Sequence, residues 1–176
     1  MTHPQDIGAL LHQDHLHTLA IVNAVEARIM TDRERPLDRG DAEDARFIDE
    51  LLDSIDRDIY RHFRFEEEEL FPRVDKAGLG EVTAMLLDEH ATIRAMADEL
   101  AALARTARTA GPPRLDQRQW TQFRELAMDF IHAAMFHIQK EEMGIIRGLG
   151  MTLGTDGSRE LAERYAAFQN DARAAP

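Results

Sequence analysis

The chain has 176 residues, the size of one domain or one domain with an appendage, and 44% of them are apolar, enough for a sizeable core. Its 33 acidic against 21 basic residues give a formal net charge of −12. That balance argues against a nucleic-acid or anionic-membrane surface, because both need clustered Lys and Arg. Having no cysteine, the chain can build no disulfide, thiolate zinc site, cysteine-held iron–sulfur cluster or thiol nucleophile. Residues 1–6 lack the basic and apolar regions of a signal peptide. No apolar run approaches the ~20 residues of a membrane span, so a cytoplasmic protein is expected.

Taken in chain order, the pattern is helical almost throughout. Pro and Gly concentrate at 36–40, 72–80, 111–113 and 144–157. They separate four long segments, 5–32, 41–72, 79–109 and 115–147, from a shorter one at 158–173. Apolar residues recur in steps of three and four, as one buried helical stripe requires. In the second segment the stripe is Ile48, Leu51, Leu52, Ile55 and Ile59; in the fourth it is Phe123, Leu126, Phe130 and Ala134. Asp41 and Asp116 stand where helix N-caps belong. Four helices of this length, each ~45 Å, joined by short connections, predict an all-α, up-down four-helix bundle. The bundle domain is placed at 1–150. Residues 151–176 follow as a connector and short extra helix, the glycines 144, 148, 150, 154 and 157 making the region flexible without phosphate-loop spacing.

Followed further, two stripes end in polar residues. Ile55 and Ile59 lead to His62 and Glu66; Phe130 and Ala134 lead to His137 and Glu141. A His and a Glu one turn apart project from one face, here the face aimed at the core. A buried ionised carboxylate needs a positive partner, and an imidazole beside it suggests a metal. The spacing alone is weak, but it repeats. His137 and Glu141 follow His62 and Glu66 by 75 residues, and Glu89-His90 follows Asp14-His15 by the same interval. Leu86 pairs with Leu11 and Glu142 with Glu67 in the same register. Two pseudo-symmetric hairpins would therefore aim His15, His62, Glu66, His90, His137 and Glu141 at one place. Six ligands crowd a tetrahedral zinc site. They suit two ions that share both carboxylates and keep positions for water, hydroxide or an oxygen species. Iron, manganese and zinc fit this ligand set, and iron is preferred because open positions beside redox-active ions have a use.

Nearby residues carry weaker expectations. His12 could be a fifth ligand, replace His15, or sit at the site edge. Glu69 could orient an imidazole or draw cations inward. Glu67 and Glu142 are alternative ligands if the helix phase shifts, and Arg94 is expected at the rim, its charge reaching water. His17 and His132 are expected on the surface and His3 in the terminus. Tyr60 lies nearly opposite His62 and is not assigned as a ligand. Met128, Met135, Phe63 and Phe130 are expected as core filler around the centre. The plain alternative, core histidines bonded to buried glutamates, would need four helices to converge by accident.

The set resembles the hemerythrin-like proteins, the HHE cation-binding domain. The family pattern is a His on the first helix, His-x-x-x-Glu on the second, His on the third and His-x-x-x-Glu or a related spacing on the fourth. The matching residues are His15, His62 with Glu66, His90, and His137 with Glu141, and the run from His62 to Pro72 is similar to the second-helix signature. The resemblance spans about 7–147. It implies a four-helix bundle holding two iron ions, a non-haem di-iron centre with bridging oxo or hydroxo. Oxygen-carrying members place a second His one turn after the third-helix His, where this chain has Arg94; the first-helix equivalent is Leu19. Members that repair iron–sulfur clusters carry a cysteine-bearing domain that has no counterpart here. Three functions are left: binding or sensing a small diatomic ligand (dioxygen or nitric oxide), signalling through a protein partner; an enzyme acting on peroxide or oxygen species; and iron storage or buffering.

Overall fold

The structure, a computed structural model, describes residues 6–109 and 114–173. Helix α1 (Ile7–Thr31) is capped by Asp6, whose carboxylate accepts the Gly8 N–H. Next comes one long helical arm of changing pitch. It runs through α2 (Ala42–Ser54), a π-helical stretch Ile55–Arg61, α3 (His62–Phe65), a second π-helical stretch Glu66–Leu70 and α4 (Phe71–Lys76). Helices α5 (Gly80–Thr109) and α6 (Gln117–Gly144) complete an antiparallel four-helix bundle. A 3-10 turn at Ile146–Gly148 leads into α7 (Leu149–Arg173). Among the described residues no strand forms, only an isolated bridge between Asp38 and Arg114. No helix there is long and apolar enough to cross a membrane.

Local chemistry explains these boundaries. Asp41 accepts the N–H groups of Glu43 and Asp44, and Asp116 accepts that of Gln119, whose side chain accepts from Asp116 in return. Gly78, at φ 94°, takes the left-handed conformation that turns the arm into α5. The second π-helical stretch has a cause in Pro72, which opens α4. Its ring clashes with the carbonyl four residues back, that of Glu68. The Phe71 N–H reaches five residues back to the Glu66 carbonyl instead.

The buried apolar residues form two clusters. The larger holds Val22, Val25, Ile29, Ile48, Leu51, Ile59, Phe63, Ile93, Leu100, Trp120, Phe123 and Phe130. The smaller holds Ile7, Leu11, Phe65, Leu70, Val74, Leu86 and Ile145, together with Leu161, Ala162 and Tyr165 of α7. Along each bundle helix the predicted site residues fall at the junction of the two, for instance between Leu86 and Ile93 on α5. The polar layer is thus held between two dry layers, and α7 closes the nearer end. The glycine-rich stretch expected as a connector is mostly helical, with its backbone break at Gly154 (φ 66°). At the far end Asp44 is buried under Arg28 at 2.7 Å and Arg35 at 2.9 Å. The Trp120 indole there donates to the Arg33 carbonyl at 2.8 Å.

Candidate metal centre

The side chains of His15, His62, Glu66, His90, His137 and Glu141 are all buried. They form two overlapping groups. His15 and His62 meet Glu66 and Glu141, and His90 and His137 meet the same two carboxylates. Within each group the candidate ligand atoms lie within 4.8 Å of one another. Each bundle helix contributes one imidazole, while the arm and α6 each add a carboxylate, as the 75-residue repeat implies.

All four imidazoles point one nitrogen inward and hand the other to a carboxylate. Nδ1 of His15 lies 2.7 Å from Glu142, that of His62 3.0 Å from Asp14, that of His90 2.8 Å from Glu67 and that of His137 3.1 Å from Glu89. These outer carboxylates obey the same repeat. Nδ1–H donating to a carboxylate fixes the tautomer and leaves Nε2 as a lone pair facing the centre.

Inside, those lone pairs meet other acceptors. Nε2 of His15 is 3.0 Å from Glu141 Oε2, Nε2 of His62 is 3.2 Å from Glu66 Oε1, and Nε2 of His90 is 3.4 Å from Glu66 Oε2. Nε2 of His137 is 3.4 Å from Glu141 Oε1 and 3.2 Å from Nε2 of His90. A neutral imidazole has one N–H, already spent outside, so these contacts require added positive charge. His62 Nε2, Glu66 Oε2 and Glu141 Oε1 are buried with no hydrogen-bond partner. Four extra protons or two divalent ions would supply the same charge. The ions would also satisfy the orphaned atoms, so the residues fit a metal centre.

With protons alone the site is electrostatically tense. Burial pushes the Glu66 carboxyl up, but the charge and hydrogen bond of His62, with His90, hold it well below the usual range. Burial likewise opposes charging His62 and His90. The Glu66 charge and the Asp14 hydrogen bond nevertheless raise His62 well above its ordinary value, and bonds to Glu141 and Glu66 push His90 up to about 9. His137 moves down, through burial and against the pull of Glu141, with the charge of His90 adding to the fall.

The surroundings correct several expectations. Glu67 and Glu142 are not ligands facing the centre; they grip His90 and His15 from outside. Their helical positions lie one residue past the inward carboxylates, so they face the neighbouring helix instead. Glu69 leaves the site altogether, pairing with Arg73 at 3.0 Å and Arg164 at 3.1 Å, and so ties the arm to α7. His12 sits at the edge, 2.9 Å from Glu142. Arg94 lies at the rim, bonding Glu67 at 2.8 Å, and Tyr60 bonds Asp98. His17 and His132 are exposed, and His3 lies outside the described residues. Phe63 does wall the centre, stacked on His90 with centroids 3.7 Å apart. Met135, expected as filler, is 48% exposed, because it falls next to the inward-facing Ala134 on α6. Sequence reasoning missed Tyr165, whose hydroxyl donates to Asp14; it lies outside the repeat, and no local pattern marks it.

No curated protein and no solved structure matches the chain. The profile of the hemerythrin HHE cation binding domain matches residues 6–149, which hold all six inward-facing residues and their four outer carboxylates. The chain belongs to the hemerythrin HHE cation-binding domain family.

Proposed function

We propose that this protein holds two iron ions and binds or senses a small diatomic ligand, dioxygen or nitric oxide. One observation carries the reading: two four-residue groups share Glu66 and Glu141, and every imidazole is pre-oriented by an outer carboxylate. His15 and His62 would hold one ion, His90 and His137 the other, with both glutamates between them. Bound there, two irons would supply reversible one-electron chemistry and open positions for a small ligand. The protein's part is orientation and exclusion. The outer carboxylates fix the rings, and Phe63 and the flanking apolar layers keep bulk water away.

The size of the space beside the site favours a small ligand. A cavity of about 10 Å³, lined by His15, Thr18, Asp58, Ile59, His62, Phe63, Ala134, His137 and Ile138, adjoins the imidazoles. That is room for about one water-sized molecule and none for an organic substrate. Peroxide decomposition is the second reading, and Asp58, a buried carboxylate on the cavity wall that accepts from Ser54 at 2.6 Å and Arg57 at 2.8 Å, is the acidic group with which to test it.

Metal analysis with absorption spectra, oxidised and reduced, under argon, air and nitric oxide, tests the proposal. About two irons per chain with a reversible spectral change supports it; zinc in place of iron, or less than one iron, sinks it. Oxygen evolution on adding peroxide, lost in Asp58→Asn with metal content unchanged, moves the assignment to the enzyme.

A further inference from the structure

The six inward residues and the four outer carboxylates follow the 75-residue repeat, but the groups behind those carboxylates break it. Behind His90, Glu67 is paired with the Arg94 guanidinium at 2.8 Å. Behind His137, Glu89 is paired with the Lys140 ammonium. On the other half, Asp14 behind His62 receives the Tyr165 hydroxyl, itself bonded by Gln169 at 2.9 Å. Among the described residues Glu142 behind His15 meets the His12 and His15 imidazoles alone. Among the described residues neither Asp14 nor Glu142 pairs with Lys or Arg. Arg57, which lines the same surface pocket as Asp14, is paired with Asp58 and Asp53 and acts on Asp14 only through longer-range attraction. The repeat partners explain the break: Arg94 corresponds to Leu19, Lys140 to Phe65 and His12 to Leu87.

From this we infer that the two ion positions, alike in their ligands, are unequal in charge. The outer carboxylates behind His15 and His62 have no directly paired Lys or Arg and keep most of their negative charge, while the pair behind His90 and His137 is neutralised by Arg94 and Lys140. The first divalent ion therefore goes to the His15/His62 position, and the His90/His137 position fills second. Coulomb's law gives the direction. A divalent ion gains from two uncompensated carboxylates one imidazole away, and it gains little from two carboxylates already paired with fixed cations. An unneutralised carboxylate also makes the imidazole in front of it a stronger donor. With partial solvent screening the preference comes to roughly tenfold or more in affinity. Tyr165 adds to the contrast through its kind of contact, since a phenol orients Asp14 without cancelling its charge.

This inference rests on the two-ion reading, and the test separates the two. The full chain is stripped with a chelator, given one or two equivalents of cobalt(II), crystallised, and measured by anomalous diffraction at the cobalt edge. At two equivalents both positions should be filled; a single peak overturns the two-ion reading and this inference with it. At one equivalent the peak beside His15 and His62 should exceed the other several-fold. Equal peaks, or the larger beside His90 and His137, overturn the inference alone. Lys140→Gln and Arg94→Gln, at partly exposed positions (side chains 45% and 24% exposed) that tolerate change, should each move the occupancies toward equality. Lys140→Arg and Arg94→Lys should restore the difference. If the glutamine variants leave the ratio unchanged, charge is not its cause and the inference fails.

Discussion

At the scale of residues, the site is a set of competing acceptors that cations would make compatible. Glu66 and Glu141 belong to both groups, whereas each imidazole belongs to one. On the proposed two-ion reading, Glu66→Ala or Glu141→Ala should therefore lose both ions. His62→Ala should retain the His90/His137 ion, and metal analysis after gel filtration distinguishes the two outcomes. The pH response should change sign with metal. His90 is raised from the ordinary 6.5 to about 9 in the metal-free fold. Its contribution to stability is thus complete below about pH 6.5 and is lost as pH climbs through about 9. Metal binds the neutral imidazole, so affinity rises across the same window. The urea midpoint of the chelated protein should fall between pH 6.5 and 9 while that of the loaded protein does not; parallel curves would contradict this account.

At the scale of elements, every candidate ligand sits on regular or slightly widened helix and none on a loop. The caps and the α7 packing set how firmly those helices are held. Asp116 closes a capping box at the start of α6, the helix carrying His137 and Glu141. Asp116→Ala should cost about 1 kcal/mol in denaturant unfolding. Leu161 of α7 is completely buried against the end layer. Leu161→Ala should cost ~2–5 kcal/mol. It should also loosen the Tyr165 contact to Asp14, seen as faster metal loss to a competing chelator. A destabilised protein with unchanged metal retention would show that α7 does not reach the centre.

For the whole molecule, a polar layer inside a bundle is a liability until it is filled. Two buried carboxylates and four buried imidazoles replace apolar surface that would otherwise join the two clusters, and metal bound as proposed would offset that loss. A ligand present at 100 times its dissociation constant stabilises the fold by about 2.7 kcal/mol. Chelation should therefore lower the melting temperature by several degrees, and stoichiometric metal should restore it. An unchanged melting temperature would mean that the layer is satisfied without ions.

Much of this was legible in the sequence because helices print their geometry at fixed intervals. The three- and four-residue apolar steps gave the bundle, and His-x-x-x-Glu at the end of two buried stripes gave the inward-facing candidates. The 75-residue register linked the two hairpins, and even the pairs Asp14/Glu89 and Glu67/Glu142 stood out in it. Their role did not. Whether a carboxylate faces the centre or the back of a neighbour's imidazole depends on helix rotation, and the π-helical turns before His62 and after Phe65 alter that rotation within the arm. Contacts between distant elements have no periodicity to betray them, so Tyr165 on Asp14, Arg164 on Glu69 and Lys140 on Glu89 emerged only from packing. By itself the sequence determined the bundle, the six inward residues and a centre without thiolates, because each follows from local spacing and composition. Only the tertiary structure decided which carboxylates orient the imidazoles and which of those carboxylates are neutralised, because both depend on groups that meet across helices.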